Sequence, residues 1–352
     1  MLRNKDGVII VDNTKLGSLS NCEWLYWIQH ELHQQQPGEA APLKQGSDGH
    51  EALAYFFSSN TWMDYKGALE LFESLYRSWA QTNVEYDDRF AWPNQHKVLE
   101  TYFTRLKTTG IPFEVLAVEM PFEIPITVPI PGLLRVSPNI DIDILFTGKF
   151  DLIVKYQDNI YVLDHKFTGS YLNASWCNQF RTSSQLTGYI WAAQQLGYQE
   201  VNGAMINAIC TRKLPSAGTR PCAKHKMSFA ECGHLHLEAI LFPPIERTET
   251  QIERWKAMLE QKVIRMVEIE NQYQSIGSGG PDKTGIWNSG LTCKNCHFQD
   301  LCMLEGSVEQ IERMTVHRIW DPRSSGGTAT VTGPAAKKRR EEVPWMPKEL
   351  DV

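Results

Sequence analysis

"VLDHKFTGSY", residues 162–171, runs from a β-branched, apolar lead-in straight into Asp164, His165 and Lys166. A strand suited to burial that ends in a carboxylate and an ammonium is either an ordinary strand end meeting solvent or half of a charged site. Side chains alternate along a strand, so Asp164 and Lys166 share one face. The other half lies upstream, where Asp151 stands in "TGKFDLIV", residues 147–154. Asp158 and Asn159 lie between the two runs as turn residues, which predicts a hairpin whose far ends bring Asp151 beside Asp164. Two carboxylates held together are costly unless a cation fills the gap, and oxygen ligands of this kind suit Mg²⁺ or Mn²⁺. A metal flanked by a lysine supports phosphodiester hydrolysis.

Working outward, "IDIDILFTGKFDLIVKY" and "NIYVLDHKF" read as paired strands, preceded by the β-rich run "FEVLAVEMPFEIPI". "SSQLTGYIWAAQQLG" follows as a helix closed by Gly197, then "VNGAMINAIC" as a strand of the buried kind, with a further strand expected in "HLHLEAILFPP". The first 110 residues read as helical and carry Cys22 and His50, with "GSDGHEAL" as a helix start. The expected organisation is a helical region 1–110, a mixed α/β core 111–275, a cysteine-bearing segment 276–321 and a tail 322–352. The tail is rich in Ser, Gly, Thr, Pro and charge and is expected to be mobile.

The chain has 352 residues, 42% hydrophobic and 22% charged, the balance of a soluble globular protein. No apolar run is long enough to cross a membrane, and the charged N-terminus does not resemble a signal peptide, so a cytoplasmic protein is expected. A net charge of −6 argues against a general basic coat for gripping nucleic acid, but leaves room for a local basic groove.

Among eight cysteines, Cys293, Cys296 and Cys302 form a C-x2-C-x5-C cluster. Such a cluster fits a zinc or an iron–sulfur site and needs a fourth ligand. His297 is adjacent to Cys296 and poorly placed to reach the same ion, which leaves Cys22 as the better candidate.

"GKFDLIV…YVLDHKFTG" resembles the D…(D/E)-x-K signature of the PD-(D/E)XK nucleases, and more narrowly the branch containing the RecB nuclease domain, AddB and Cas4. That branch often has a glycine three residues before the first aspartate, here Gly148, and a threonine after the triplet, here Thr168 one place late. "SSQLTGYIWAA" resembles its Q-x-x-x-Y helix through Gln185 and Tyr189, which are four apart on one helical face. "GSDGHEAL" resembles the upstream G…H motif, which makes His50 a metal ligand, and "LAVEMPFEIP" the segment holding an acidic residue, here Glu119. Asp141 and Asp143 are spare candidates, although their alternation with isoleucine is what a half-exposed strand shows.

The resemblance covers about residues 18–305 and implies a restriction-endonuclease-like α/β fold, a mixed sheet flanked by helices. Asp151, Asp164 and His50, with Glu119 and the backbone carbonyl of His165, would hold the metal. Lys166 would assist the attacking water, and Gln185 and Tyr189 would position substrate. It further implies a [4Fe–4S] cluster on Cys22, Cys293, Cys296 and Cys302 that staples the C-terminal segment to the N-terminal helix; zinc, or no ligand, are the alternatives. The implied activity is a DNA exonuclease on single-stranded or frayed ends in recombination, repair or fragment processing, in a bacterium or phage, with a possible helicase, recombinase or integrase partner. A rival reading is a non-catalytic DNA-binding scaffold that keeps the fold. The chain departs from the pattern in the Cys22–His50 spacing, in carrying Asp where many members carry Glu, and in a long insertion after Cys210.

Three signals stand apart. "GSGGPDKT" imitates a phosphate-binding loop, but Asp282 replaces the required glycine. Lys337–Arg340 form a short basic run that reads as solvated tail, with a targeting or nucleic-acid contact as the alternative. "YLNASWCNQFR", residues 171–181, can line a channel for single strands by base stacking, although core packing explains Trp176 equally well.

Overall fold

A computed structural model describes residues 2–4, 6–86, 88–130, 140–212, 226, 239–276, 293, 296–303 and 308–323. The chain divides into two compact units. The first comprises Met1–Pro37, Pro125–Thr147 and Lys262–Val352; the second comprises Gly38–Ile124 and Gly148–Gln261.

In the first unit, β1 (Ile9–Val11) pairs in parallel with Ile144–Phe146 of β4 (Ile140–Tyr156) and is fully buried. Helix α1 (Asn13–Asn21) follows at once, its N-terminus capped by the Asp12 side chain. Helix α2 (Glu23–Tyr26) continues into a π-turn over Trp27–Glu31 that buries Trp27 and Ile28. Gln34–Gln35 (β2) pair antiparallel with a short C-terminal strand, Val316–His317. Arg265 holds Glu23 by two parallel bonds of 2.6 and 2.7 Å, a geometry that suits a planar guanidinium.

The second unit carries the rest of the sheet. The second half of β4 pairs antiparallel with β5 (Asn159–Thr168), whose other edge pairs in parallel with β6 (Gly203–Cys210). The outer edge of β6 takes β7 (Ala239–Leu241) and β8 (Ile245–Glu246), both antiparallel. Strand β3 (Glu114–Ile130) pairs with β4. The β4–β5 turn lies one residue earlier than expected. Tyr156 faces Asn159 across the ladder, and the loop residues Gln157 and Asp158 both have positive φ, 48° and 65°. Two left-handed residues form the tight loop whose twist matches that of the strands.

Helices α3 (Ala41–Phe57), α4 (Tyr65–Asn83) and α5 (Trp92–Thr109) cover one face. Phe56, Phe57, Phe72, Tyr76, Leu99 and Phe103 form a core with Leu152, Val154, Leu163, Met205 and Ile209 of the strands. Helix α6 (Ala174–Asn178) leads into α7 (Ser184–Gln195), which packs against β5 and β6 and buries Leu186 and Ile190. Helix α3 starts nine residues before His50. Pro42 occupies its first turn, where a missing N–H costs nothing, so "GSDGHEAL" lies inside the helix and not at its start.

A mixed α/β core flanked by helices is thus present. The iron–sulfur-stapled C-terminal segment expected beside it is not supported. Among the described residues Cys22, Cys293, Cys296 and Cys302 are thiols and not disulfides, and their sulfurs do not converge as a group of ligand atoms. Among those residues no helix is long and apolar enough to cross a membrane. Cys222, Cys232, the Gly277–Thr284 loop, the Lys337–Arg340 run and the tail beyond residue 323 lie outside the described residues, as do residues 234–238 of the strand expected in 234–244, whose described part contains β7.

Candidate active site

The site is built where β4 and β5 meet below the hairpin. Along β5, Tyr161 and Leu163 enter the core beneath α3–α5, and the His165 ring follows on that side, stacked on Phe57 at 5.6 Å. Alternation sends Asp164 and Lys166 to the other face, where α7 lies. The Lys166 ammonium sits 2.7 Å from Asp164 Oδ2 and donates to Gln185 Oε1 at 3.2 Å. Gln185 Nε2 in turn donates to the Tyr189 hydroxyl at 3.1 Å. Tyr189 is buried, edge-on to Phe150 and Phe122. The Gln185–Tyr189 pair therefore meets the lysine from beneath.

Asp151 is the hub. Its Oδ2 accepts the backbone N–H of His165 at 2.7 Å, which locks the ends of the two strands together. Its Oδ1 lies 3.3 Å from His50 Nδ1, supplied by α3. Glu119 comes from β3, and one oxygen of its carboxylate joins them. His50, Glu119 and Asp151 place one ligand atom each within 4.8 Å of the others, the one such group among the described residues. Glu119 has φ 49° in the middle of a strand, a conformation that costs a non-glycine residue roughly 1–3 kcal/mol. Lys149, beside Asp151 in sequence, pairs with the Glu119 carboxylate.

Two glycines make room for this convergence. A Cβ on Gly148 would fall 2.5 Å from the Phe122 ring, and one on Gly49 would fall 2.5 Å from the Phe167 ring. Helix α3 and strand β3 approach the site closely because these positions lack a side chain.

The buried charges titrate in different directions. Burial pushes the Glu119 carboxyl up to about 7; Lys149 opposes this, and the Asp151 charge adds to it. Burial likewise raises Asp164, against Lys166 and with Asp151. Burial acts on Asp151 too but is outweighed by His50, His165 and Lys166, which hold it well below the usual carboxylate range. Burial disfavours the charged forms of His50 and Lys166, yet Asp151 raises the imidazole, and Asp164 with Asp151 raises the ammonium. His165 goes the other way, down to about 3 through burial. Its Nδ1 accepts from Asn207 Nδ2 at 2.7 Å, which places the proton of a neutral ring on Nε2.

Three carboxylates, Glu119, Asp151 and Asp164, thus face Lys149, Lys166 and the His50 imidazole. A nitrogen and two carboxylate oxygens are a donor set that suits Mg²⁺ or Mn²⁺, so the residues fit a divalent cation.

The sequence-derived site residues fall into three sets. His50, Glu119 and Asp151 come together as possible ligands. Asp164, Lys166, Gln185 and Tyr189 form a connected row beside them. The His165 side chain turns into the core, while its backbone N–H holds Asp151. Asp141 and Asp143 lie outside the group and are exposed, and Asp143 accepts from Thr127. The sequence motifs do not single out Lys149 or Asn207. Lys149 lies between Gly148 and Asp151, and Asn207 is the one polar residue in the apolar strand "GAMINAIC".

The cysteine expectation is corrected here. The thiols of Cys22, Cys293, Cys296 and Cys302 lie near enough to influence one another, but they form no group with ligand atoms within 4.8 Å. Burial, with the neighbouring sulfurs adding, pushes Cys302 up to about 11 and raises Cys296. Neither an iron–sulfur cluster nor a zinc site is supported.

The carboxylate–lysine row and the group beside it that could hold a cation make a nuclease-like site on a mixed sheet. The model of the PD-(D/E)XK nuclease superfamily matches residues 13–303, and the chain belongs to that superfamily. The narrower branch marked by iron–sulfur cysteines is not supported. No curated protein matches the chain. Among solved structures the chain is similar to one described as "Crystal structure of SSO0001", with 15% identity and a TM-score of 0.26, covering 75% of this chain and 96% of that one.

Proposed function

We propose that the protein is a metal-dependent DNA nuclease that degrades single-stranded or frayed DNA from an end. The convergence of His50, Glu119 and Asp151 next to the Asp164–Lys166 pair carries this reading. His50, Glu119 and Asp151 would hold the cation, with Asp164 at its edge. A bound Mg²⁺ or Mn²⁺ supplies polarisation of a phosphoryl oxygen and a more acidic water.

The chain's own residues do the rest. Lys166 stays protonated, so it serves as a cation and donor and not as a base. An ammonium has three hydrogens; Asp164 and Gln185 face two of them. The third is left to steady the attacking water or the charge developing on the phosphate. Gln185, backed by Tyr189, fixes where that hydrogen points. Asp164 is 2% exposed, which favours a flexible unpaired strand over a stiff duplex as the partner able to bring a phosphate to the row.

The test is degradation of end-labelled linear single-stranded DNA with Mn²⁺ or Mg²⁺, beside EDTA and Lys166→Ala controls. Metal-dependent loss of label that vanishes in the variant supports the reading and shows which end is attacked. Binding without cleavage, equal in both proteins, overturns it in favour of a scaffold.

A further inference from the structure

Beyond Lys166, strand β5 ends in a turn that no catalytic role explains. Thr168 Oγ1 accepts the Ser170 N–H at 3.0 Å, and the Thr168 carbonyl accepts the Thr211 N–H at 2.7 Å. Cys210 Sγ donates to the Ser170 carbonyl at 3.5 Å. These bonds fix residues 168–170 against the end of β6. They present Tyr171, which is 71% exposed, among the largest exposures of any aromatic side chain described.

Two arginines flank this turn. The Arg212 guanidinium lies over one face of the Tyr171 ring, 3.5 Å from its centroid. The Arg89 guanidinium lies against Gly169, where it would collide with any Cβ. Asn94, in the first turn of α5, ties the two arginine-bearing segments together. Its side-chain amide donates to the Arg89 carbonyl at 2.7 Å and to the Arg212 carbonyl at 3.4 Å. Gln95 adds a second bond to the Arg89 carbonyl, at 2.6 Å. An exposed aromatic with a guanidinium on one face and a second beside it is therefore held in place by the backbone around it. Nearby Trp176 differs: it is half-buried and packs on Phe180 and Phe242, as a core residue does.

The geometry points to a binding site for single-stranded nucleic acid on this turn, with one base stacked on the open face of Tyr171 and the flanking phosphates met by Arg212 and Arg89. The site rests on the nuclease reading above and deepens it by naming where the strand is held. Tyr171 is five positions on from Lys166, so their Cα atoms lie no more than about 18 Å apart. A single strand is long enough to reach from one to the other. Stacking tolerates any base because each has a π-face, and arginine over the ring adds a charge for the backbone.

Anisotropy of fluorescein-labelled dT15 in EDTA tests this, with an abasic 15-mer as the companion probe and cleavage of dT15 with Mn²⁺ run in parallel on the wild-type protein. Wild type is expected to bind dT15 about tenfold more tightly than the abasic strand. Tyr171→Ala binds both alike, Tyr171→Phe keeps the preference, and Arg212→Ala lowers the salt slope of binding by about one. Tyr171→Ala binding dT15 as wild type does, while wild type still cleaves, overturns the platform alone. Wild type that neither binds nor cleaves overturns the platform and the nuclease reading together.

Discussion

Both units bury charge, and they treat it in opposite ways. In the second unit Lys166 and Lys149 face carboxylates and keep their protons more firmly than a free lysine does. In the first unit Lys15 is more deeply buried than either, and its Nζ donates to a backbone carbonyl, that of Ile10, at 2.6 Å. Burial dominates there and lowers the ammonium to about 8. His30, buried in the same unit, has Ser18 Oγ at 3.2 Å and is driven well below its ordinary value by burial, with Lys15 adding. Where backbone and hydroxyl partners meet a buried titratable group, burial dominates and the pKa falls. Where carboxylates face the two lysines, the ammonium forms are held more firmly. Several mutually coupled charges gathered in one place mark a candidate functional site.

That contrast can be broken or sharpened at four positions. The largest effect is expected at Lys166. Its replacement by alanine should lower the rate of strand cleavage on the order of 100- to 1000-fold while circular dichroism and the unfolding midpoint hold. A rate near wild type would put Lys166 in the same structural class as Lys15.

Lys15→Met comes next. With a folded pKa of about 8 against 10.5 unfolded, the unfolded chain alone holds this proton between those values. Wild-type stability therefore rises with pH across that window, by about 2–3 kcal/mol. Urea midpoints at pH 7.5 and 10 should show a smaller rise in the methionine variant; equal slopes in both proteins would remove Lys15 from the comparison.

His30 acts on the acid side. Its folded pKa is depressed, so its contribution is complete above the unfolded value of 6.5 and is lost as the pH falls. Wild type should lose stability between pH 6.5 and 5, and His30→Phe should lose less, read by chemical denaturation. The smallest effect belongs to Gln185→Ala. It releases the Lys166 ammonium from one partner without removing it, so turnover should drop about tenfold with KM for the strand little changed. A change confined to KM would move Gln185 from positioning the lysine to touching the substrate.

Much of the charged site is legible in the amino-acid sequence. The Asp151–Asp164 spacing, the turn between them and the period-2 pairing of Asp164 with Lys166 are local properties that a hairpin converts directly into proximity. Gln185 and Tyr189 are readable as a helical face, but not that Gln185 meets the lysine, since that depends on how α7 packs. Glu119 can be singled out by its motif, but not its left-handed backbone, which no residue type announces. The cysteines mislead for the opposite reason. C-x2-C-x5-C is a strong local pattern, but spacing does not show whether four thiols converge on one ion, and among the described residues they form no such group. His165 shows the limit within a motif: its neighbours face α7, while its ring stacks on Phe57 and its Nδ1 accepts from Asn207.

The two-residue turn at Gln157 and Asp158 has an evolutionary consequence. It is the shortest path between the two aspartates, and it sets which residues of β5 look toward α7. One extra residue there, unless absorbed as a bulge, exchanges the faces of the strand. Leu163 and His165 would then occupy the places of Asp164 and Lys166. This hairpin tip should therefore be among the positions least tolerant of a change in length, although it touches no substrate and carries no chemistry of its own.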